Sequence, residues 1–229
     1  MQAWASPSRF TRRMTDPAPT KSGVVGLLAA ARGFRRTDPL EELLSLRFGV
    51  RVDQPGRVER DFQTARAADG HRSYPLTYRF YLTDAVFIAA VEGEDNLVAA
   101  LDNAVRHPTF PLYLGRRSCS PVGPLTLGVR DTHLWTALAD EPWQASRWYR
   151  RRSHSSNVCV EMRADADAVP DEVSGVTLTT QQDVPIDFNP AFRKYGLRSV
   201  AQTMISIPNP DIHSVDTQDH DPMAALGGA

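Results

Sequence analysis

Apolar residues first recur at helical spacing after Pro19, where Val24, Val25, Leu27, Leu28 and Ala31 form one stripe that stops near Gly33. Thr20 or Ser22 can cap this helix, and the glycine suits its end. The residues before it are polar, with Trp4 and Phe10 set among Arg9, Arg12 and Arg13, and Pro7, Pro17 and Pro19 forbid a continuous helix. Asp38-Pro39 repeats the start signal, and Leu40, Leu43, Leu44 and Leu46 give a second short apolar face before Gly49. Phe48-Gly-Val-Arg-Val-Asp53 then alternates as a strand does and stops at Gln54-Pro-Gly56, so residues 57–64 are expected to return as its hairpin partner.

Residues 65–77 hold Arg66, His71, Arg72 and Tyr74 but almost nothing to bury, which predicts an exposed loop or arm. Residues 79–91 read as one long strand, and Leu97, Leu101 and Val105 place a helix over 95–105. Glycine and proline dominate 107–124, a loop containing Arg116 and Arg117. Strands are expected at 125–129, 157–162, 175–180 and 199–207, which makes the second half β-rich. Beyond Pro208 the chain is acidic and short of large apolar residues, so a disordered tail is expected over 209–229.

Composition changes this picture little until charge is mapped along the chain. With 229 residues, 41% hydrophobic and 23% charged, one large or two small domains can bury a core. No apolar run nears the roughly 18 residues a membrane span needs. The first ten residues lack the apolar centre of a secretory signal, so a soluble protein of the cytoplasm is expected, with Cys119 and Cys159 as free thiols. Residues 1–152 hold 22 Lys or Arg against 16 Asp or Glu, whereas 153–229 hold 4 against 11. Only Lys21 and Lys194 are lysines. Arginine forks onto phosphate and stacks on bases, which suits RNA, although a GC-rich genome writes the same bias.

Candidate chemistry narrows from there. Lys21-Ser22 beside Gly23 lacks the upstream glycine of a phosphate loop, leaving either a helix N-terminus able to hold one backbone phosphate or an ordinary capped core helix. The six histidines are scattered singly and neither cysteine has a metal-ligand neighbour, so no metal or other cofactor is expected. His71 with Tyr74 offers a general base for metal-independent RNA cleavage. Arg147, Arg150, Arg151 and Arg152 surround Trp148 and Tyr149, which fits base stacking with phosphate neutralisation or a solvated arginine face. In Gly115-Arg-Arg-Ser, a glycine turn lets two arginines approach a nucleic-acid backbone closely, though a turn explains the glycine equally.

Seven segments, spread in order from residue 1 to about 210, together resemble one known family. They are Met1-Gln-Ala-Trp4, Pro19-Thr-Lys-Ser-Gly-Val-Val-Gly-Leu-Leu-Ala-Ala-Ala-Arg-Gly33, Phe48-Gly-Val-Arg-Val-Asp53, Arg60-Asp-Phe-Gln-Thr64, Tyr81-Leu-Thr-Asp-Ala-Val-Phe87, Leu112-Tyr-Leu-Gly-Arg-Arg-Ser-Cys-Ser-Pro121 and Tyr195-Gly-Leu-Arg198. The family is the CasD-type subunit, Cas family number five, of the type I-E CRISPR surveillance complex Cascade.

The resemblance implies an α+β fold: a ferredoxin-like, RRM-related (RAMP) domain over 1–130, with a protruding β-hairpin thumb at about 60–82. A smaller β-rich part would follow at 131–208. It implies a non-catalytic subunit that caps the CRISPR RNA by gripping its 5′ handle. The partners implied are the Cascade backbone and large subunits and, through the complex, target DNA, with no membrane. Some relatives cut repeat RNA, and a purely structural assembly subunit is a further alternative. Arg9, Lys21, Ser22, Arg116 and Arg117 fall in motifs expected near the RNA, and Arg60, Thr64, Arg66 and Arg79 fall in or beside the thumb. The resemblance leads one to expect a first strand ending in Gly-Pro ahead of the Met1 motif, and two positions depart from the family pattern: Ala5 stands where glycine commonly follows Trp, and Gln63 replaces a common thumb histidine.

Overall fold

The Thr20 hydroxyl accepts a hydrogen bond from the Gly23 amide at 3.2 Å and opens helix α1, Lys21–Ala31. Gly33, at φ +84°, ends it: the Gly33 amide donates to Ala30 and the Phe34 amide to Ala29, the paired bonds of a Schellman stop. In this computed structural model residues 1–4, 12–187 and 194–211 are described. Arg9, Ala5 and the tail from 212 onward lie outside the described residues. Among those described, no helix is long and apolar enough to cross a membrane.

The chain continues through α2, Glu41–Leu44, β2, Arg47–Gln54, β3, Arg57–Gln63, β4, Thr77–Thr83, β5, Val86–Glu92, and α3, Asp95–Arg106. A two-residue strand β1, Arg12–Arg13, precedes α1. After the long loop come α4, Leu134–Asp140, α5, Arg147–Arg150, β6, Asn157–Asp165, β7, Thr177–Asp187, and β8, Lys194–Pro208. The result is a mixed α+β fold with two sheets, ordered β1-β4-β3 and β5-β2-β6-β8-β7. The larger sheet takes strands from both sides of residue 130, so the expected division at 130 falls between elements that serve one sheet.

Strand β2 explains how that sheet is sandwiched. Phe48 and Val50 point to one face and pack with Ala18, Val24 and Val91, while Val25, Leu28, Leu43, Leu97 and Leu101 join α1, α2 and α3 above them. Gly49, Arg51 and Asp53 point to the other face, which α4 covers through Leu134, Trp135 and Leu138. A Cβ on Gly49 would sit 2.7 Å from both Leu134 and Leu138, so the glycine makes room for the helix. Arg51 is fully buried and answers α4 at its other end. It pairs with Asp53 at 2.7 Å and donates to the carbonyls of Leu138, Glu141 and Pro142 at 2.6, 2.7 and 3.0 Å.

Several elements differ from the periodicity reading. β3 pairs with β4 instead of β2, because both flanks of β2 are taken by β5 and β6 and the Gly56 turn sends the chain out of that sheet. The long strand expected at 79–91 is two strands in two sheets, broken at Asp84 with φ 54°. The strand expected at 125–129 is a loop pinned to α3 by the Thr126 hydroxyl on Asp102. α4 was not expected, and β7 and β8 both run longer than their apolar cores. β3 and β4 form a hairpin, with β3 exposed along nearly its whole length and residues 64–76 at its tip.

Candidate nucleic-acid interface

Three separate segments build one groove around the start of α1. Residues 1–4 lie between β4 and the 113–119 loop: Gln2 exchanges backbone hydrogen bonds with Leu82, and the Ala3 amide donates to Leu114 at 3.0 Å. Trp4 is buried against α1, where a Cβ on Gly23 would meet its ring at 2.8 Å. Its indole N–H donates to Gln2 at 2.8 Å. Gly115, at φ +88°, lets the loop close on Ala3, since a Cβ there would stand 1.9 Å from the Ala3 carbonyl oxygen.

Arg116 locks the assembly. Its guanidinium lies 5.0 Å over the Tyr81 ring and donates to the carbonyls of Phe80, Arg13 and Met14 at 2.9, 2.7 and 3.1 Å. Arg117 is then turned outward beside it. The Schellman stop performs the same service across the groove, because the chain leaving Gly33 carries Arg35 and Arg36 to its rim. The groove has a volume of about 670 Å³, and among the described residues Arg13, Arg35, Arg36, Arg116 and Arg117 line it with no aspartate or glutamate. Trp4, Phe34, Phe110, Tyr113 and Tyr195 add aromatic surface. Arg35, Arg36 and Arg117 are exposed and make no ion pair among the described residues. Such a surface attracts polyanions and offers rings for stacking.

Lys21 and Ser22 sit deeper than an RNA-facing motif suggests. Both are buried, and the Lys21 ammonium pairs with Asp165 at 2.8 Å while its backbone amide donates to Asp183 at 2.8 Å. A carboxylate of the protein therefore already sits on the α1 N-terminus, and the lysine charge belongs to the fold. Arg198 completes the cluster, bonding Asp183 at 2.6 Å and Asp165 at 2.7 Å and covering the Phe48 ring at 5.3 Å. Burial works against the Arg198 charge, but Asp183 and then Asp165 outweigh it and hold its pKa above the ordinary arginine value. Ser22 keeps a place on the groove wall, its hydroxyl 3.4 Å from that of Thr20.

The remaining expected residues lie on the hairpin. Arg60 is exposed with its guanidinium 5.4 Å from the Tyr78 ring, and Thr64 and Arg66 are exposed at the base of the tip loop, where Arg66 bridges to Ser73. Arg79 stands in register between Arg13 and Asp61, half-buried, with its Nε lacking a hydrogen-bond partner among the described residues. Arg13 thus links hairpin and groove. His71 and Tyr74 are exposed at the tip, where Arg72 lies 5.6 Å over the Tyr74 ring. Among the described residues no three His, Cys, Asp or Glu side chains gather as a metal site would require. Sequence reasoning missed Arg13, Arg35 and Arg36. A signal for the last two was present, because Gly33-Phe-Arg-Arg36 mirrors Gly115-Arg-Arg117 and both glycines have positive φ.

The profile of the family described as CRISPR-associated protein (Cas_Cas5) matches residues 1–201. The CRISPR system Cascade subunit CasD of Escherichia coli (strain K12) is 36% identical, over 63% of this chain and 70% of that protein. A chain of a CRISPR RNA-guided surveillance complex superposes with a TM-score of 0.72 at 32% identity, covering 90% of this chain and 87% of the other. The crystal structure of a Cas protein superposes at 0.63 with 32% identity, over 91% and 90%. With the profile spanning most of its length, the chain belongs to the CRISPR-associated Cas5 family.

Proposed function

We propose that this subunit binds the guide RNA of its complex without cutting it, capping the guide by holding the repeat-derived 5′ handle in the arginine groove. One observation carries the reading: five arginines from three segments converge on a single groove that, among the described residues, no acidic side chain lines. Arg13, Arg35, Arg36 and Arg117 neutralise backbone phosphates there, while Arg116 holds the loop and Ser22 offers a hydroxyl on the wall. The β3–β4 hairpin acts as the thumb, with Arg60, Thr64, Arg66 and Arg79 continuing the contact from the groove through Arg13. We read α1 and α3 above β2 and β5 as a ferredoxin-like, RRM-related plan. Residues 1–130 then carry most of the RNA contact, and 131–208 complete the sheet and add Tyr195 to the groove. The neighbouring partners are the backbone and large subunits of a cytoplasmic Cascade, and target DNA is met through the complex.

The test is salt-dependent binding of labelled handle RNA. Each phosphate contact on a single strand contributes about 0.7 to the slope of log affinity against log salt, so replacing Arg35, Arg36 and Arg117 by alanine should lower the slope by about 2. Binding that ignores salt, or an unchanged slope in the triple variant, refutes the groove as the site. Repeat RNA incubated with the protein should stay intact, and a product lost in His71→Ala would replace the binder with a nuclease.

A further inference from the structure

A second cluster of arginines lies far from the groove and is built differently. Trp143 anchors it: the indole N–H donates to the Asp53 carbonyl at 2.9 Å, and Ser146, which precedes α5, donates to Gln54 through both its amide and its hydroxyl. Arg150 turns inward to Asp211 at 2.7 Å and to the Trp143 carbonyl at 3.0 Å. The Asn209 amide fastens the following turn by donating to the carbonyls of Arg150, Ser153 and Ser155. Held from beneath in this way, α5 is a fixed element even though it has a single turn.

Its outer surface carries an aromatic ladder. Tyr149 stands edge-on to Trp143, centroids 6.0 Å apart at 71°, and Trp148 stands edge-on to Tyr149 at 5.7 Å and 88°. Trp148 is the outermost rung and 50% exposed, whereas Trp4, Trp135 and Trp143 are buried. Around it Arg147, Arg151 and Arg152 are exposed and make no direct ion pair among the described residues. Asp211 is held below the usual carboxylate range by its bond from Arg150, and Arg147 and Arg151 reach it with their fields.

An ordered indole beside exposed guanidinium groups has the parts of a single-stranded nucleic-acid contact: a face for one base and charges for the phosphates beside it. A protein-docking surface would centre on a contiguous apolar patch. Here the exposed neighbours on the chain are Ser155, Ser156, His154 and Asn157, and Trp148 is the only large apolar side chain among them. The position is also separate. β6 runs from Asn157 at the α5 end to Asp165 at the Lys21 end, roughly 25 Å for a strand of its length. We propose that α5 and the turn after it form a second contact for single-stranded nucleic acid, with Trp148 stacking on a base and Arg147, Arg151 and Arg152 neutralising its backbone. The contact does not depend on what the groove holds.

Labelled oligomers of about twelve nucleotides, one of uridine and one of deoxythymidine, test this with the full chain. Binding should quench tryptophan emission, because Trp148 is the exposed indole. Trp148→Ala should weaken binding about tenfold, Trp148→Phe should restore most of it, and alanine at Arg147, Arg151 and Arg152 should lower the salt slope by about 2. The tighter of the two oligomers distinguishes an RNA strand from a DNA strand. Groove variants at Arg35, Arg36 and Arg117 should leave this quenching in place, so failure here and failure of the handle-binding reading are told apart. Unchanged affinity in Trp148→Ala, or quenching lost in the groove variants, overturns the proposal, as does binding that needs the arginines but not an aromatic ring.

Discussion

Replacing Lys21 by methionine separates a structural lysine from an RNA-binding one. The ammonium is 2.8 Å from Asp165, in a cluster where the Lys21, Asp165, Asp183 and Arg198 side chains are all at most 9% exposed. Methionine keeps the stem and removes the charge, so Asp165 retains Arg198 and the Phe48 amide but loses one of two cations. Removing one member of a buried ionic group costs about 3–5 kcal/mol, because the remaining charge stays desolvated. For a chain of this size that lowers the melting temperature by roughly 6–20 °C. Urea unfolding checks the first number and a thermal melt the second. Handle-RNA affinity, measured well below the melt, should stay within about twofold of wild type. A stability loss under about 1 kcal/mol together with tenfold weaker RNA binding would refute the reasoning and return Lys21 to the ligand.

Two further outcomes follow from particular contacts. Gly115→Ala forces a Cβ toward the Ala3 carbonyl at a positive φ, so the 113–119 loop must move; stability should fall by about 1–3 kcal/mol and handle-RNA affinity should fall with it, as calorimetry and anisotropy would read. Asp102 is held below its ordinary pKa, first by the hydrogen bond from Arg106 and then by that from Thr126. A depressed carboxylate adds stability above its unfolded pKa of about 3.9 and loses it as pH falls through the folded value. Amide exchange over 125–129 should therefore accelerate as pH drops below about 4, after correction for the intrinsic rate, and Asp102→Asn should flatten that dependence.

The helices α1 and α3, strand β2 and the exposed hairpin tip were legible because each carries its signal locally, in a cap, a period or a lack of apolar residues. Pairing was not. β3 follows a turn sequence that reads as a return to β2, and only the competition of β5 and β6 for the flanks of β2 sends it to β4. The α4 helix was hidden because its apolar residues Leu134, Trp135 and Leu138 span barely two turns, too few for periodicity to register. Its place in the fold is marked from elsewhere, by the small Gly49 and the buried Arg51 on the strand it covers.

The same distinction governs the site. Within the segments that identify the family, the charged side chains of Lys21, Arg51, Asp53 and Arg198 turn inward, where each meets an opposite charge. A charge in a strong motif thus reads as a ligand contact while serving the fold, since a buried ion pair tolerates replacement of neither member. Charges free to meet RNA sit two or three residues past glycines whose positive φ lifts the chain off a helix or sheet, as at Arg35, Arg36 and Arg117. Exposure costs such arginines nothing, so their positions are set by turn geometry alone. The groove is accordingly read from its glycines, Gly33 and Gly115, whose conformations aim the arginines that follow.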